Sequence, residues 1–260
     1  MILSLFQHRS FIWRNAMHDF RHRYAGSSMG ALWNVLHPLA MIAIYTLVFS
    51  SIMSPRLPGK AGRFSFIIYL CSGIIPWTAF ADCVTRGCGA LVLNAGYLRK
   101  LPIPEPVFVA QEAVAAFVTA AISFILLLAF GLCVGLPPTW TWLLLPVPLV
   151  ALLALGFAIG MLLSTLNVFF RDIQQWVGIA LQITMWTAPI VYAAAILPPA
   201  YQTILRWHPL LPSINSVRAM MDGQLPSPFE WAMMFAWPIV FGAMALAVSR
   251  RLSDEIRDVI

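Results

Sequence analysis

Six apolar stretches, each long enough to cross a lipid bilayer, constrain this chain more than any other feature of its sequence. They cover residues 31–53, 64–85, 107–135, 141–166, 173–197 and 229–249. In the whole chain 60% of the residues are hydrophobic and only 10% are charged, whereas about a quarter are charged in soluble domains. Because lipid cannot hydrogen-bond to free main-chain groups, this pattern predicts an all-α membrane protein with six transmembrane helices. The spans leave no room for a sizeable soluble domain, so we treat residues 1–260 as one transmembrane domain.

The distribution of cations predicts which way the spans run. An even number of spans places both termini on one side of the membrane. If that side is the cytoplasm, eleven of the 16 Lys and Arg residues lie there, namely Arg9, Arg14, Arg21, Arg23, Arg86, Arg99, Lys100, Arg171, Arg250, Arg251 and Arg257. The five on the opposite side are Arg56, Lys60, Arg63, Arg206 and Arg218. The positive-inside rule therefore predicts cytoplasmic termini. The net charge of +6 follows from this topology and does not indicate nucleic-acid binding, because the cations form no continuous patch.

Residues 9–24 have the pattern of an amphipathic helix that lies along the membrane surface. One apolar stripe follows the helical repeat and consists of Trp13, Ala16, Met17, Phe20 and Tyr24. Another face carries Arg14, His18 and Arg21, which are placed to meet anionic lipid headgroups. Two interpretations stay open: the helix only anchors and orients the chain, or it gates or receives a charged, lipid-linked substrate.

Two connections between the spans are long enough to hold structure of their own. The first, 86–106, has room for a short helix parallel to the membrane over 92–104, ended by prolines. The second, 198–228, is cut by prolines into pieces that are too short to cross. We expect short re-entrant helices over 198–222, before the last span, because irregular backbone at membrane depth survives only against protein or water. An amphipathic surface loop is the alternative.

The sequence lacks the motifs of nucleotide hydrolysis, metal binding and glycosyl transfer. Its Gly-Lys pair, Gly59-Lys60, is followed by Ala61 and has no upstream glycine at the spacing of a phosphate-binding loop. The histidines show no HExxH-like pairing, acids at DxD spacing are missing, and the four cysteines have no CxxC spacing. We therefore expect no catalytic residue, no metal ion and no cofactor bound by this chain.

Polar and aromatic side chains within the spans favour a path for a polar molecule. The candidates are Tyr45, Tyr69, Trp77, Gln182, Trp186 and Tyr192. A carbohydrate would suit them, because sugars present apolar CH faces to aromatic rings and hydroxyl groups to amides. Aromatic girdles at the membrane interfaces are the competing explanation, above all for Trp77. Three acids lie within or at the edge of the spans, where they face a water-filled interior, cap a helix or meet the interface: Asp82, Glu112 and Asp172.

Five segments in collinear order resemble the permeases of ABC-2 type polysaccharide exporters, which include O-antigen, capsule and teichoic-acid permeases. The first segment, 19–50, matches the family's R-x-R-Y, L-G-x-L-W and x-P pattern at Arg21, Arg23, Tyr24, Gly30, Leu32, Trp33 and Pro38. It departs from that pattern at Met29-Gly30-Ala31, where the family commonly has Leu-Gly and a bulky third residue. The others are GIIPWTAFAD (73–82), NAGYLRKLPIPEPVF (94–108), NVFFRDIQQ (167–175) and RWHPLLPSINSVRAM (206–220). Together they extend over nearly the whole chain.

The resemblance implies a homodimeric permease of the bacterial inner membrane that works with two ATP-binding-cassette subunits, which hold ATP and Mg²⁺. Its substrate would be an undecaprenyl-pyrophosphate-linked polysaccharide of the O-antigen type. The family's gate helix corresponds to 9–24, where the lipid pyrophosphate would meet Arg14, Arg21, Arg23 and Tyr24. The coupling helix that contacts the ATPase would present Tyr97, Leu98, Arg99 and Lys100. The channel entrance would hold Arg171 and Asp172.

Three alternatives stay open beside this interpretation. A capsule or teichoic-acid exporter belongs to the same family and shares its motifs. An ABC-2 exporter of drugs or small lipids is a second alternative, against which the R-x-R-Y pattern argues. A membrane-bound enzyme of glycan or lipid metabolism is the third, and it requires an acid–base or metal constellation inside the membrane that the sequence does not show.

Overall fold

The computed structural model describes residues 2–22, 27–48 and 64–259. This part of the chain is helical and contains no strand, which confirms the all-α prediction for these residues. The α-helices are α1 (Ile2–Gln7), α2 (Arg9–His22), α3 (Trp33–Leu47), α4 (Ser65–Leu93), α5 (Ala95–Lys100), α6 (Glu105–Cys133), α7 (Pro146–Phe169), α8 (Ile173–Thr187), α9 (Pro199–Leu205), α10 (Leu211–Met221) and α11 (Pro228–Val259). Short 3-10 helices cover Gly30–Leu32, Trp140–Leu144 and Ala194–Ile196.

Four helical stretches are long and apolar enough to cross a membrane. They are Ser65–Leu93, Glu105–Cys133, Trp140–Phe169 and Pro228–Leu252, and they correspond to the second, third, fourth and sixth spans predicted from sequence. At about 1.5 Å per residue each exceeds the roughly 30 Å of a bilayer core. Prolines stand at the first position of α7 and α11, where the helix needs no main-chain N–H.

The first and fifth predicted spans differ from the structure. α3 has 15 residues, and the part of 31–53 from residue 49 onward lies outside the described residues. α8 also has 15 residues and ends at Thr187, not at residue 197. Pro189 explains this end, because a proline disfavours helical backbone at the preceding residue, and Ala188 is extended at φ −86° and ψ 142°. Each helix is about 22 Å long, so six spans remain a prediction.

α4 lies at the centre of the bundle, and α6, α7 and α10 pack around it. It crosses α7 where Gly87 faces Gly160, and a Cβ atom on Gly87 would lie 3.1 Å from the Cα of Gly160. The absence of both side chains lets the two backbones approach closely. One apolar cluster joins α4 to α6, and another joins α4 to α10 through residues that include Trp77, Phe80, Leu211 and Ile214.

The connections also differ in detail from the sequence prediction. α4 continues to Leu93, so Arg86 lies within a helix and not in the predicted loop. α5 forms inside the predicted 92–104 segment and covers six of its residues. α9 and α10 confirm that 198–222 contains short helices. Gly223, with φ 78°, follows α10, where its left-handed backbone ends the helix.

A third apolar cluster joins six helices at one end of the bundle, which we call the α5 end. Its members include Ile12, Leu91, Leu98, Val107, Phe108, Val168 and Ile256. These residues come from α2, α4, α5, α6, α7 and α11, and they hold the amphipathic helix and α5 at the same end. The described part of the predicted gate helix and the predicted coupling helix therefore belong to the same end of the bundle.

Candidate functional site

The amphipathic helix α2 docks on α6 through a narrow buried face. Ile12 and Ala16 are buried, and the ring of Phe11 meets that of Phe108 edge-on, with centroids 6.1 Å apart. Trp13 belongs to the apolar stripe seen in the sequence, but its side chain is 55% exposed. The stripe is therefore divided. Ala16 contacts protein, and Trp13 faces outward, where lipid would cover it.

A cluster of charged side chains ties α2 to the bundle. The Arg86 guanidinium of α4 donates through Nε to Glu112 Oε2 of α6 at 2.8 Å, and through Nη2 to both Glu112 and Asp19 of α2. Beside it, Asn15 Nδ2 donates to Gln111 Oε1 at 3.2 Å. The sequence identifies Glu112 as an acid inside a span, but it does not identify Arg86 as its partner. The signal was present, because such an acid needs a compensating charge.

The predicted gate residues are described only in part. Arg14 is exposed on α2 and shares a surface hollow with Arg9, Ser10 and Trp13. Arg21 lies in the last turn of α2, and its side chain is not among those described. Arg23 and Tyr24 lie outside the described residues. Arg14 thus stands where a surface anion can reach it, and the roles of all four residues stay predictions.

α5 divides the four predicted coupling residues into two groups. Tyr97, Arg99 and Lys100 are exposed, and Tyr97 shows 59% of its surface. Leu98 is only 4% exposed, because it packs into the apolar cluster of the α5 end. The prediction that Leu98 presents itself to a partner is therefore wrong. Its side chain holds α5 on the bundle, and the other three form the outward face.

The predicted channel entrance forms an exposed turn between α7 and α8. Arg171 and Asp172 are both exposed there. Two amides fix the turn to α4, because Asn167 Nδ2 donates to the main-chain carbonyl of Cys88 and Gln174 Nε2 to that of Thr85, each at 3.2 Å. The turn lies at the α5 end of the bundle, next to the last turns of α4.

The six residues assigned to a glycan path do not line one path within the described part of a single chain. Gln182 and Trp186 are exposed on α8, whereas Trp77 is 4% exposed and packs on Phe80 inside the core. Trp77 is therefore a packing residue, and its assignment to an open path is wrong. Tyr45 lies between α3 and α4, where it lines a separate cavity.

That cavity, of about 210 Å³, lies between α3, α4 and α6. Its wall is mostly apolar and includes Pro38, Met41, Ile42, Ile75 and Ala120. Trp33, His37 and Asp82 also line it. The hydroxyl groups of Thr78, Thr119 and Ser123 also line it, and each donates to a main-chain carbonyl of its own helix. These hydroxyls therefore offer acceptor positions to the cavity.

Arg218 forms a buried clamp that the sequence did not predict. The sequence places it among outer cations, but in α10 it is only 8% exposed. Nη1 donates to the carbonyl of Pro189 at 3.0 Å and Nη2 to that of Ile190 at 2.7 Å, while the guanidinium lies 3.8 Å above the Tyr69 ring. No periodic or compositional signal in the sequence marks this residue.

The clamp shapes the segment that follows α8. Tyr69 Oη donates to the carbonyl of Tyr192 at 3.2 Å, and the Tyr192 hydroxyl lies 3.1 Å from the carbonyl of Trp186. Gly73 completes the clamp, because a Cβ there would lie 2.5 Å from Arg218 Nη2. Tyr69 and Tyr192 thus both hydrogen-bond to main-chain carbonyl groups. The guanidinium of Arg218 joins α4, α10 and the segment after α8.

The segment between α9 and α10 reaches deep along α4. His208, Pro209 and Leu210 line a groove with Phe80 and Val84 of α4. Phe80 is 15 residues beyond the start of α4, which corresponds to about 22 Å along that helix. His208 Nδ1 accepts a hydrogen bond from the Leu210 N–H at 3.3 Å.

Comparison with known proteins identifies the family. Residues 10–221 match the model of the ABC-2 type transporter family. The chain belongs to that family. Its relatives include an O-antigen export system permease protein RfbA of Klebsiella pneumoniae, 26% identical over 93% of this permease and 92% of the relative. An RfbA of Myxococcus xanthus is 27% identical over 96% of each chain. The polysialic acid transport protein KpsM of Escherichia coli is 24% identical over 90% of the permease and 91% of KpsM.

The family identified by these comparisons is consistent with the family that the sequence motifs resemble. The matched residues include α2, the charged cluster at Arg86, α5 and the clamp at Arg218. The permease therefore carries these features within the part that defines its family, and the interpretation as a transport subunit is confirmed.

Proposed function

We propose that the permease exports a lipid-linked polysaccharide of the O-antigen type, carried on undecaprenyl pyrophosphate, across the bacterial inner membrane. The observation that carries this proposal is its similarity to RfbA proteins of two organisms over at least 93% of its length. The structure supports it, because the basic amphipathic helix α2 and the exposed face of α5 lie at one end of the bundle. A site for an anionic headgroup and a site for an ATPase are then neighbours.

The substrate's pyrophosphate is proposed to meet the cations of the amphipathic helix. Arg14 is exposed beside the outward-facing Trp13, and the sequence places Arg21, Arg23 and Tyr24 on the same helical segment. Charge-assisted hydrogen bonds from guanidinium groups suit phosphate oxygens in geometry and strength. Membrane lipids would cover Trp13 in this position.

ATP hydrolysis is proposed to occur on a separate ATP-binding-cassette subunit, with ATP and Mg²⁺ bound there. Tyr97, Arg99 and Lys100 form the contact surface on α5, and the buried Leu98 transmits force into the bundle through its packing. Two permeases with two such subunits make the complex. Cytoplasmic termini place α2 and α5 on the side where ATP is available.

A second copy of the permease is proposed to pack against α8. Its outward face carries Trp176, Ile179, Ile183 and Trp186, each more than half exposed. These residues recur at helical spacing, so they form one apolar stripe. A path between two protomers would bring Gln182 and Trp186 from both copies to its wall, which explains why one protomer alone encloses no such path.

Six spans with re-entrant helices before the last are proposed for the membrane-embedded form. Leu205 of α9 and Leu210, Leu211 and Ile214 next to or within α10 pack with Trp77 and Phe80 of α4. These short helices therefore pack against a central part of a spanning helix and not against its end. Irregular backbone is tolerated at membrane depth only where it is buried against protein or water, and these contacts provide such burial.

The experiment is deletion of the gene and complementation in the host. We expect loss of surface polysaccharide, with the lipid-linked polymer accumulating on the cytoplasmic side. Complementation by the permease should restore display, whereas the variant Arg99→Glu/Lys100→Glu should not. The control variant Arg251→Glu, at an exposed position of α11, should restore display fully. Normal surface display in the deletion strain contradicts the proposal.

A capsule polymer is the second candidate substrate, because the KpsM proteins align over 90% of the permease. The same deletion strain distinguishes the two. Loss of polymer attached to the outer-membrane lipopolysaccharide supports the O-antigen type, and loss of a separate capsule supports the second candidate.

A further inference from the structure

Arg86 joins three helices at one guanidinium, and the two acids that accept its hydrogen bonds differ in their surroundings, while Asp82 of α4 adds a third negative charge nearby. Glu112 on α6 has a side chain 13% exposed and accepts from both Nε and Nη2. Asp19 on α2 has a side chain 48% exposed and accepts from Nη2 alone. Arg86 itself is 22% exposed. One arm of the cluster is therefore largely buried, and the other is half in solvent.

The two arms also join elements that are held in different ways. α4 and α6 pack along a continuous apolar cluster that includes Ile75, Cys83, Ala116 and Leu127. α2 has two buried apolar residues on its docking face, Ile12 and Ala16. The Arg86–Glu112 pair thus connects helices that the core already holds together. The Arg86–Asp19 pair connects a surface helix that packs on the bundle through a narrower set of contacts, namely those of Phe11, Ile12 and Ala16 and the Asn15–Gln111 hydrogen bond.

The electrostatics follow from this difference. If α2 moved away, the Asp19 carboxylate would return to water at small cost, because it is already half exposed. Arg86 would still be compensated by Glu112, so no buried charge would be left without a partner.

We propose that Asp19, Arg86 and Glu112 form a releasable latch, in which Arg86–Glu112 is the permanent pair and Asp19 is the arm that positions α2. α2 then detaches from α6 and returns during the transport cycle. The importance of this movement for export rests on the proposed function, whereas the latch itself does not. Asn15 and Gln111, hydrogen-bonded at 3.2 Å, report directly on whether α2 is docked.

The test measures docking by cross-linking. Asn15→Cys and Gln111→Cys are introduced into a permease whose four native cysteines are replaced by alanine, and disulfide formation is followed in membranes with the ATPase subunit present. We expect rapid cross-linking in this background. Adding Asp19→Asn should slow it about two- to fivefold, the range for a partly exposed ion pair. The control Glu255→Gln, at an exposed acid of α11, should leave the rate unchanged.

The asymmetry of the latch is tested by a second variant. Glu112→Gln retains the Arg86–Asp19 arm, so the cross-linking rate should stay within a factor of two of the background. Arg86→Lys retains the positive charge and should preserve more of the rate than Arg86→Met. Equal rates for Asp19→Asn and the background overturn the latch. An equal slowing by Asp19→Asn and Glu112→Gln overturns the assignment of permanent and releasable arms.

Measuring polysaccharide export by the cross-linked permease tests the latch and the proposed function separately. We expect oxidation of the 15–111 cysteine pair to stop display of polysaccharide and a reductant to restore it. Full export by the oxidised protein overturns the movement of α2. Failure of the reduced permease to export any polysaccharide overturns the proposed function, while the cross-linking rates still decide the latch.

Discussion

Arg86 and Arg218 are both arginines within the helical bundle, but different groups accept their hydrogen bonds. Arg86, toward the α5 end, donates to the carboxylates of Glu112 and Asp19. Arg218, near the C-terminal end of α10, donates to the main-chain carbonyls of Pro189 and Ile190 and lies over the ring of Tyr69. Each guanidinium joins three segments of the chain.

The two arginines differ in whether side-chain or main-chain groups accept their hydrogen bonds, and this difference decides how each site responds to substitution. Side-chain acceptors can be removed by substitution or can move away with their helix, so the contacts of Arg86 are exchangeable. Main-chain acceptors belong to the backbone path itself, so the contacts of Arg218 fix the course of the segment after α8. We therefore expect the Arg86 site to tolerate paired changes and the Arg218 site to resist them.

The largest effect is expected from Gly73→Leu. Even a Cβ at this position would lie 2.5 Å from Arg218 Nη2 and 2.9 Å from the carbonyl oxygen of Ile190, so the clamp cannot form beside a larger side chain. We expect a loss of folded permease, measured as the yield of monodisperse protein in detergent. Gly242→Leu is the control, because no atom lies within 4 Å of a Cβ at that position. Equal yields for the two variants would show that the clamp does not need the space at Gly73.

Arg218→Lys is expected to have the next largest effect. An ammonium group cannot donate to both carbonyls in the fork geometry of arginine and lie flat on Tyr69. Hydrogen bonds to charged groups are worth roughly 1.5–3 kcal/mol each, so we expect a loss of about 3 kcal/mol in the free energy of unfolding. Thermal denaturation in detergent measures it. Arg206→Lys, at an exposed position, should change stability by less than about 0.5 kcal/mol. A stable Arg218→Lys protein would contradict the clamp.

Arg86→Met is expected to cost less and, unlike Arg218→Lys, to be rescued by a second change. The substitution leaves the largely buried Glu112 carboxylate without its cation. Such a loss costs about 3–5 kcal/mol in a fully buried pair, and about 1–3 kcal/mol is expected here because the Arg86 and Glu112 side chains are 22% and 13% exposed. The double variant Arg86→Met/Glu112→Gln removes that charge and should recover at least half of the loss. Arg251→Met, at an exposed cation, is the control. If the double variant is less stable than the single variant, the two side chains do not act as a pair.

The sequence predicted the apolar helices well because their signal is local. Length and hydropathy alone located the four helices that the structure shows as long enough to span. The prediction placed a spanning segment at 173–197, but Pro189 imposes extended backbone on Ala188 and ends α8 at Thr187. That proline lay inside an apolar run, where hydropathy conceals a break in the helix.

The candidate site was less predictable because its contacts join distant parts of the chain. Arg86 and Asp19 are 67 residues apart, and Arg218 and Pro189 are 29 apart. No spacing rule connects such pairs. Leu98 was assigned through the family resemblance and Trp77 by residue type, but burial decides their roles, and burial depends on how helices pack. The resemblance to a family predicts which segments are functional, but it does not predict these contacts.

Asp19→Asn is expected to have the smallest effect on stability, and it tests most directly whether the Arg86 and Arg218 sites differ. The Asp19 side chain is half exposed, so the loss of its ion pair should change the free energy of unfolding by at most about 1 kcal/mol. Arg86 keeps Glu112, and the apolar contact between α4 and α6 is untouched. Thermal denaturation of Asp19→Asn beside Glu112→Gln measures the contrast, and Glu112→Gln should lower the melting temperature more. If Asp19→Asn were the more destabilising of the two, the arm on α2 would be a structural part of the bundle, and Arg86 would resemble Arg218 after all.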